Sequence, residues 1–267
     1  MANQTEIIKV RNLTKKFNGL TAVDKISLSV LHGSVFAFLG PNGAGKTTTI
    51  RMLTTMLKPT SGEVRLNGFD VLTQKDAVRK SFGIVFQDPS LDEDLTADEN
   101  LEFHGALYKV PKALRRERAE HLLKFVGLWD RRDDLVKHFS GGMKRRLEIA
   151  RALVHHPKIL FLDEPTLGLD PQTRNKIWDY LLEMKRQEGT TIFLTTHHIE
   201  EAEKIADAVA IIDGGKIVAQ GTPAKLKKST KSTSLEDAFL KLTGRSLRDE
   251  LVSPGMSMQV HRAMRRH

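Results

Sequence analysis

The chain reads as an α/β protein with a mostly parallel sheet, and three observations predict that class. The apolar run Val35-Phe36-Ala37-Phe38-Leu39 passes through a glycine-rich turn into the helical stretch Thr48-Thr49-Ile50-Arg51-Met52-Leu53. Short apolar strands and amphipathic helices alternate again between Ile159 and Asp213, the pattern of a parallel sheet with helices on its faces. Between these regions, from about residue 90 to 156, strand-like segments give way to helical periodicity, which predicts an inserted helical subdomain.

Ile7–Leu13 and Ile26–Val30 alternate apolar with polar residues and predict strands of a separate antiparallel portion ahead of the buried strand Val35–Leu39. A helix over Thr47–Met56 is stopped by Lys58-Pro59, and Ser61-Gly62 turns the chain into a strand at Glu63–Leu66. Asn67-Gly68 is another turn and Gly83–Phe86 another short strand. Apolar residues at three- and four-residue spacing predict helices over Leu95–Tyr108, Ala113–Val126 and Ser140–His155, the last with Ser140 as N-cap. A strand at Ile159–Leu162, a helix over Pro171–Glu188 ended by Gly189, a strand at Thr191–Thr195 and a helix over Ile199–Ala206 follow. Val209–Asp213 and Lys216–Ala219 read as a hairpin through Gly214-Gly215, and Ala224–Lys228 and Leu235–Leu242 as short helices. Past Arg248 the composition predicts no element.

The 267 residues suffice for one large domain or two small ones with a substantial core. No apolar run approaches the 18 or so residues of a membrane span, the first residues lack a secretory pattern, and cysteine is absent, so the expectation is a cytosolic protein without disulfides or thiolate metal sites. The net charge of +9 is concentrated: from Gly221 onward ten bases face four acids. Such a segment suits an anionic neighbour, a membrane surface or a nucleic acid, and equally a solvated tail.

Gly40-Pro41-Asn42-Gly43-Ala44-Gly45-Lys46-Thr47 fits G-x-x-x-x-G-K-[ST] in the strand–loop–helix setting that gives the pattern its chemistry. Successive backbone N–H groups and a helix N-terminus converge on phosphate oxygens while Lys46 adds a fixed positive charge, so nucleoside triphosphate binding is expected. The strand Ile159–Leu162 ends in two acids. Asp163 is the candidate partner of Mg²⁺, with Thr47 as a second oxygen donor, and Glu164 the candidate acceptor of a proton from attacking water. Ser140-Gly141-Gly142 opens a second helix with several N–H donors and reads as a second anion site.

Gly40–Thr47, Gln87, Ser140-Gly141-Gly142, Leu162-Asp163-Glu164-Pro165, Gly168-Leu169-Asp170 and His197, in this order and spacing, resemble the nucleotide-binding domains of ABC transporters. The resemblance covers roughly residues 6 to 222 and leaves 223–267 as a basic C-terminal extension. It implies a P-loop NTPase fold with a RecA-like core, an N-terminal antiparallel β portion and a helical subdomain near 90–156. It also implies that two such domains close head to tail around ATP and Mg²⁺. By the same resemblance Phe17 stacks on adenine, and Gly40, Pro41, Asn42, Gly43, Ala44, Gly45, Lys46, Thr47 and Thr48 form the phosphate loop, with Lys46 on the β- and γ-phosphates and Thr47 on the metal. Gln87 senses metal and attacking water, and Ser140, Gly141, Gly142 and Met143 reach the partner's ATP. Asp163 serves the metal, Glu164 is the catalytic base, Asp170 lies at the dimer interface and His197 contacts the γ-phosphate.

The chain departs from the usual Leu-Ser-Gly-Gly-Gln pattern through Phe139 and Met143, and Phe17 stands where tyrosine is commoner. The stretches 140–150 and 235–245 are similar to the daunorubicin-resistance type of ABC ATPase, which implies separate transmembrane permease subunits of the ABC-2 exporter type, a second ATPase copy (identical or a close paralogue) and a peripheral place on the cytoplasmic face of the cell membrane. The competing expectation, carried by the basic tail, is a non-transport ABC ATPase acting on nucleic acid or ribosomes.

Overall fold

A computed structural model of the chain describes residues 5–88 and 90–244. The basic residues from Arg245 onward, and the featureless stretch expected past Arg248, lie outside the described residues. In chain order the elements are β1 (Glu6–Phe17), β2 (Leu20–Leu31), β3 (Val35–Leu39), α1 (Lys46–Leu53), β4 (Ser61–Leu66), β5 (Phe69–Asp70), α2 (Lys75–Ser81) and β6 (Phe82–Val85). There follow α3 (Ala97–Leu107), α4 (Lys112–Phe125), α5 (Gly141–Leu153), β7 (Ile159–Asp163), α6 (Pro171–Glu188), β8 (Thr191–Thr196), α7 (Ile199–Ile205), β9 (Ala208–Asp213), β10 (Lys216–Gly221), α8 (Pro223–Thr230) and α9 (Leu235–Thr243). The chain divides into two compact units, one running up to Arg79 and again from Phe193, the other from Lys80 to Ile192.

The first unit holds an antiparallel sheet in the order β2-β1-β4-β5. Ile8, Val10 and Leu13 alternate inward against Lys9 and Arg11, so one face is buried and the other wet. The two long strands meet at Phe17↔Leu20 across Asn18-Gly19, both at positive φ (41° and 86°), the turn that matches strand twist in a tight hairpin. β3 pairs in parallel with β9, which pairs antiparallel with β10, and β8 lies on the other side of β3. Every residue of β3 and β8 is buried, as expected of strands covered on both faces. Phe193 stacks on Phe36 at 5.2 Å and meets Phe38 at 5.8 Å between ring centroids. α9 buries Leu235, Ala238 and Phe239 against α7, α8 and β10. The Glu203 carboxylate fixes this junction, accepting from Leu235 N at 2.8 Å and from Lys227 Nζ at 2.5 Å.

In the second unit β6 and β7 run parallel, from Phe82↔Ile159 to Val85↔Leu162, with Phe82 edge-on to Phe161. A Cβ on Gly83 would lie 2.1 Å from the Ala152 carbonyl oxygen, so only glycine lets α5 lie this close to β6. α3 opens on a capping box of Thr96 and Glu99, and α6 starts at Asp170-Pro171 and ends on Gly189 at φ 65°, both ends as the sequence predicts. The opening antiparallel portion and the strand–helix alternation agree with the sequence reading. Among the strands and α-helices, β5 and α2 were not expected, and α1 ends at Leu53 rather than Met56 because Thr55 turns to φ 63° and Met56 is exposed.

This unit also encloses a ring cluster. His155 stacks on Tyr108 at 3.8 Å, His104 lies 4.9 Å from Tyr108, and the Nε2 of His155 is 2.9 Å from the Phe82 carbonyl oxygen. Burial, with the charge of Arg151 beside it and then His155, pushes His104 down to about 3. Burial pushes His155 down to about 4 against the opposing bond to Phe82, with Arg118 and His156 adding to the fall. Below pH 6.5 the unfolded chain takes up protons that the folded rings refuse, so stability falls as pH drops from 6.5 towards 4. Urea unfolding at pH 5 is expected to show a loss of roughly 1–2 kcal/mol for each ring relative to pH 7. The variant His104→Gln/His155→Gln is expected to lack most of that difference, and an undiminished difference would show that the rings do not supply it.

Candidate functional site

The first unit carries the phosphate-binding pattern. β3 ends at Leu39, and the loop Gly40–Gly45 delivers the chain to α1. Its shape is set by close approaches that exclude side chains. A Cβ on Gly40 would stand 2.3 Å from the Ile212 carbonyl oxygen of β9, and one on Gly45 2.7 Å from that of Ala22 in β2. Gly45 caps α1 at φ 110°, which L-residues rarely adopt, and being glycine it offers no side chain to cap the helix start. Ala44 O accepts from Gly215 N at 3.1 Å, so the β9–β10 turn pins the loop. Lys46 is buried, and its Nζ donates to the carbonyls of Gly40 (2.5 Å) and Pro41 (3.1 Å). This ammonium is held over its own loop, where the first-turn N–H groups and the positive end of α1 also lie. Thr47 sits one residue into α1, and Thr48 is buried behind it.

Phe17 and His197 belong to the same unit. Phe17 ends β1 half-buried, with Lys15 Nζ 4.8 Å above its ring, so the ring is a partly open flat face. His197 follows β8, half-buried, its ring 4.2 Å from that of His198, whose N–H donates to Thr196 Oγ1 at 2.9 Å.

The second unit holds the other residues. Gln87 is exposed two residues past β6. Ser140 is the N-cap of α5, its Oγ accepting from Met143 N at 3.3 Å, with Ser140 and Gly141 exposed and Phe139 buried behind them. Asp163 closes β7 at 3% exposure, and Glu164, at 8%, takes φ 52°, unusual for a residue with a side chain. Asp170 is the N-cap of α6. The bond from Thr173 to its carboxylate, 2.9 Å from the backbone N, holds its pKa below the usual value.

Sequence reasoning did not single out Arg145, Glu148 and Arg151, which lie at three-residue steps along α5. Arg145 is buried, and its guanidinium donates to the carbonyls of Phe86, Asp163, Glu164 and Pro165 and to the Glu148 carboxylate. Burial lowers its pKa against the opposing Glu148 charge, yet an arginine stays protonated. The available signal was a charged i, i+3 pair on the side of the helix that Leu147, Ile149 and Ala150 place inside.

The family model "ABC transporter" matches residues 23–167. The chain is 45% identical to the daunorubicin/doxorubicin resistance ATP-binding protein of Streptomyces peucetius over 97% of this chain and 78% of that one. It is 45% identical to the Nod factor export ATP-binding protein I of Ralstonia nicotianae, over 83% and 69% of the two chains. A dimeric ATP-binding cassette solved in a post-hydrolysis state with ADP and Pi superposes with a TM-score of 0.72 at 30% identity, covering 80% of this chain and 98% of that one. The protein belongs to the ABC transporter family. It is an ATP-binding, ATP-hydrolysing subunit of the exporter type with a P-loop NTPase fold, and not an ABC ATPase directed at nucleic acid. Among the described residues no helix is long and apolar enough to cross a membrane.

The left-handed glycine makes a direct test of the loop. Gly45→Ala is expected to lower stability by about 1–3 kcal/mol in urea unfolding and to abolish binding of a fluorescent ATP analogue. Gly141→Ala, whose Cβ meets nothing within 4 Å, is expected to leave unfolding within about 0.5 kcal/mol of the parent. Equal behaviour of the two variants would show that the loop shape is not what glycine supplies.

Proposed function

We propose that two copies of this chain, or this chain and a close paralogue, close head to tail on two ATP molecules and drive separate transmembrane permease subunits of an ABC-2-type exporter. One observation carries the reading: the chain has two helix starts of phosphate-binding character that differ in kind. α1 begins on an uncapped left-handed glycine with a buried lysine, whereas α5 begins on an exposed serine and glycine with no lysine in the cap. A site with lysine and a site without it suit opposite sides of one triphosphate, which a second copy supplies. The dimeric relative with ADP and Pi supports the same assembly.

In this reading residues 6–222 are the nucleotide-binding domain, the helices near 90–156 form its helical subdomain, and 223–267 is a basic extension. Phe17 stacks on the adenine. The N–H groups of Gly40–Thr48 hold the phosphates, and Lys46 neutralises the β- and γ-oxygens as charge develops between them. Ser140, Gly141, Gly142 and Met143 contact the ATP held by the other copy, and Asp170 lies beside them at the interface. Glu164 takes the proton from the attacking water, Gln87 orients that water, and His197 donates to the γ-phosphate. The Thr47 hydroxyl, the Asp163 carboxylate and the Gln87 amide are oxygen donors, the chemistry Mg²⁺ takes alongside phosphates, and the ion when bound offsets phosphate charge. The subunit sits peripherally on the cytoplasmic face of the membrane beside the permease, and cargo choice belongs to the permease.

Glu164→Gln is the test. Removing the general base is expected to lower turnover roughly a hundredfold or more while ATP still binds. Sedimentation should then show a dimer with ATP and a monomer without it. Normal hydrolysis by a variant that stays monomeric in ATP would overturn the proposal.

A further inference from the structure

We propose that Arg145, seated on Glu148, is a positioning residue for ATP hydrolysis that fixes both the Glu164 turn and the segment carrying Gln87. The proposal rests on the roles given above to those two residues. All five N–H donors of the guanidinium are committed. Nε donates to Pro165 O at 2.8 Å, Nη2 to Asp163 O at 3.1 Å and Glu164 O at 3.0 Å, and Nη1 to Phe86 O and to Glu148 Oε2 at 3.0 Å. Three of these acceptors are the consecutive carbonyls that bracket Glu164. A glutamate at φ 52° keeps that conformation only where its surroundings over-determine it, and three charge-assisted bonds to successive carbonyls do so. The same group holds Phe86, the residue before Gln87.

Glu148, 2% exposed, extends the hold to the far side of Gln87. Its Oε1 accepts from Ser90 N at 2.9 Å, and Arg151 reaches both the carbonyl and the hydroxyl of Ser90. Residues 86 and 90 are therefore fastened to one stripe of α5, and residues 163–165 to the same stripe. The helix carrying that stripe starts at Ser140, so a shift of the serine cap moves the supports of both hydrolytic residues together. Lysine cannot substitute, because three donors on a point charge cannot satisfy five fixed directions.

Removing the arginine alone leaves Glu148 buried without its counter-charge, and such a variant can fail through stability rather than mechanism. The decisive variant is Arg145→Met/Glu148→Met in the full-length chain, which replaces the ion pair by an apolar pair. Thermal unfolding, equilibrium binding of a fluorescent ATP analogue, and kcat and KM from phosphate release are to be measured beside Arg145→Lys and Glu164→Gln. The expected result is a double variant that melts within a few degrees of the parent and binds ATP within about twofold, but whose kcat falls at least tenfold with little change in KM. Arg145→Lys is expected to restore less than half of the lost turnover. Parental kcat in a folded double variant, with Glu164→Gln inactive, would overturn this proposal alone. Parental kcat in Glu164→Gln would overturn it together with the assignment of Glu164. A double variant that no longer folds shifts the decision to Arg145→Lys: full kcat there overturns the proposal, and a tenfold loss at unchanged KM supports it.

Discussion

A short loop that must place its backbone where no side chain fits constrains everything else in the first unit. Gly40 lies under the carbonyl of Ile212 and Gly45 under that of Ala22, so β9 and β2 shape the turn from two directions. The requirement reaches outward: β3 must be apolar throughout to hold the loop's entry, and α1 must begin without a capping side chain to present its N–H groups. Lys46 folds back onto Gly40 and Pro41, a buried charge whose ammonium donates to backbone carbonyls.

The second unit solves a related problem with different means. Where the loop before α1 uses glycine to adopt a left-handed residue without a steric penalty, Glu164 carries a side chain at φ 52° and bears the strain. The compensation comes from a buried guanidinium whose donors match the carbonyls around that strained residue. A buried ion pair is seldom an efficient stabiliser compared with apolar packing, so Arg145 and Glu148 are better understood as a device of geometry. The ring cluster of His104, Tyr108 and His155 in the same unit relies mainly on burial, with neighbouring positive charge adding to it, to keep its imidazoles neutral.

What the sequence makes legible follows from which forces leave a periodic trace. β3, the phosphate loop and α1 are visible because continuous apolarity and fixed glycine spacing coincide. The limits of α6 are visible because Asp170-Pro171 and Gly189 each carry a local mechanism for starting and stopping a helix. The full length of the β1–β2 hairpin was underestimated, since its outer residues Lys15, Lys16 and Leu20 break the apolar alternation and Asn18-Gly19 alone marks the turn. α2 escaped because one residue, Val78, supplies its fully buried contact and gives no periodic signal. Arg145 and Glu148 escaped because charged residues on a helix read as a solvated face, and only the fold shows that this stripe points inward. The roles expected of Phe17, Gln87 and His197 came through the family pattern, because a lone aromatic, amide or imidazole carries no chemistry of its own in a sequence.

We infer that the backbone of the phosphate loop itself grips the triphosphate. Amide hydrogen exchange resolved over Gly43–Thr48, in the full chain with and without Mg·ATP, measures this directly. With ATP about a hundredfold above its Kd, exchange of these amides should slow by up to about a hundredfold. Unchanged exchange across this stretch in protein saturated with ATP would contradict the account.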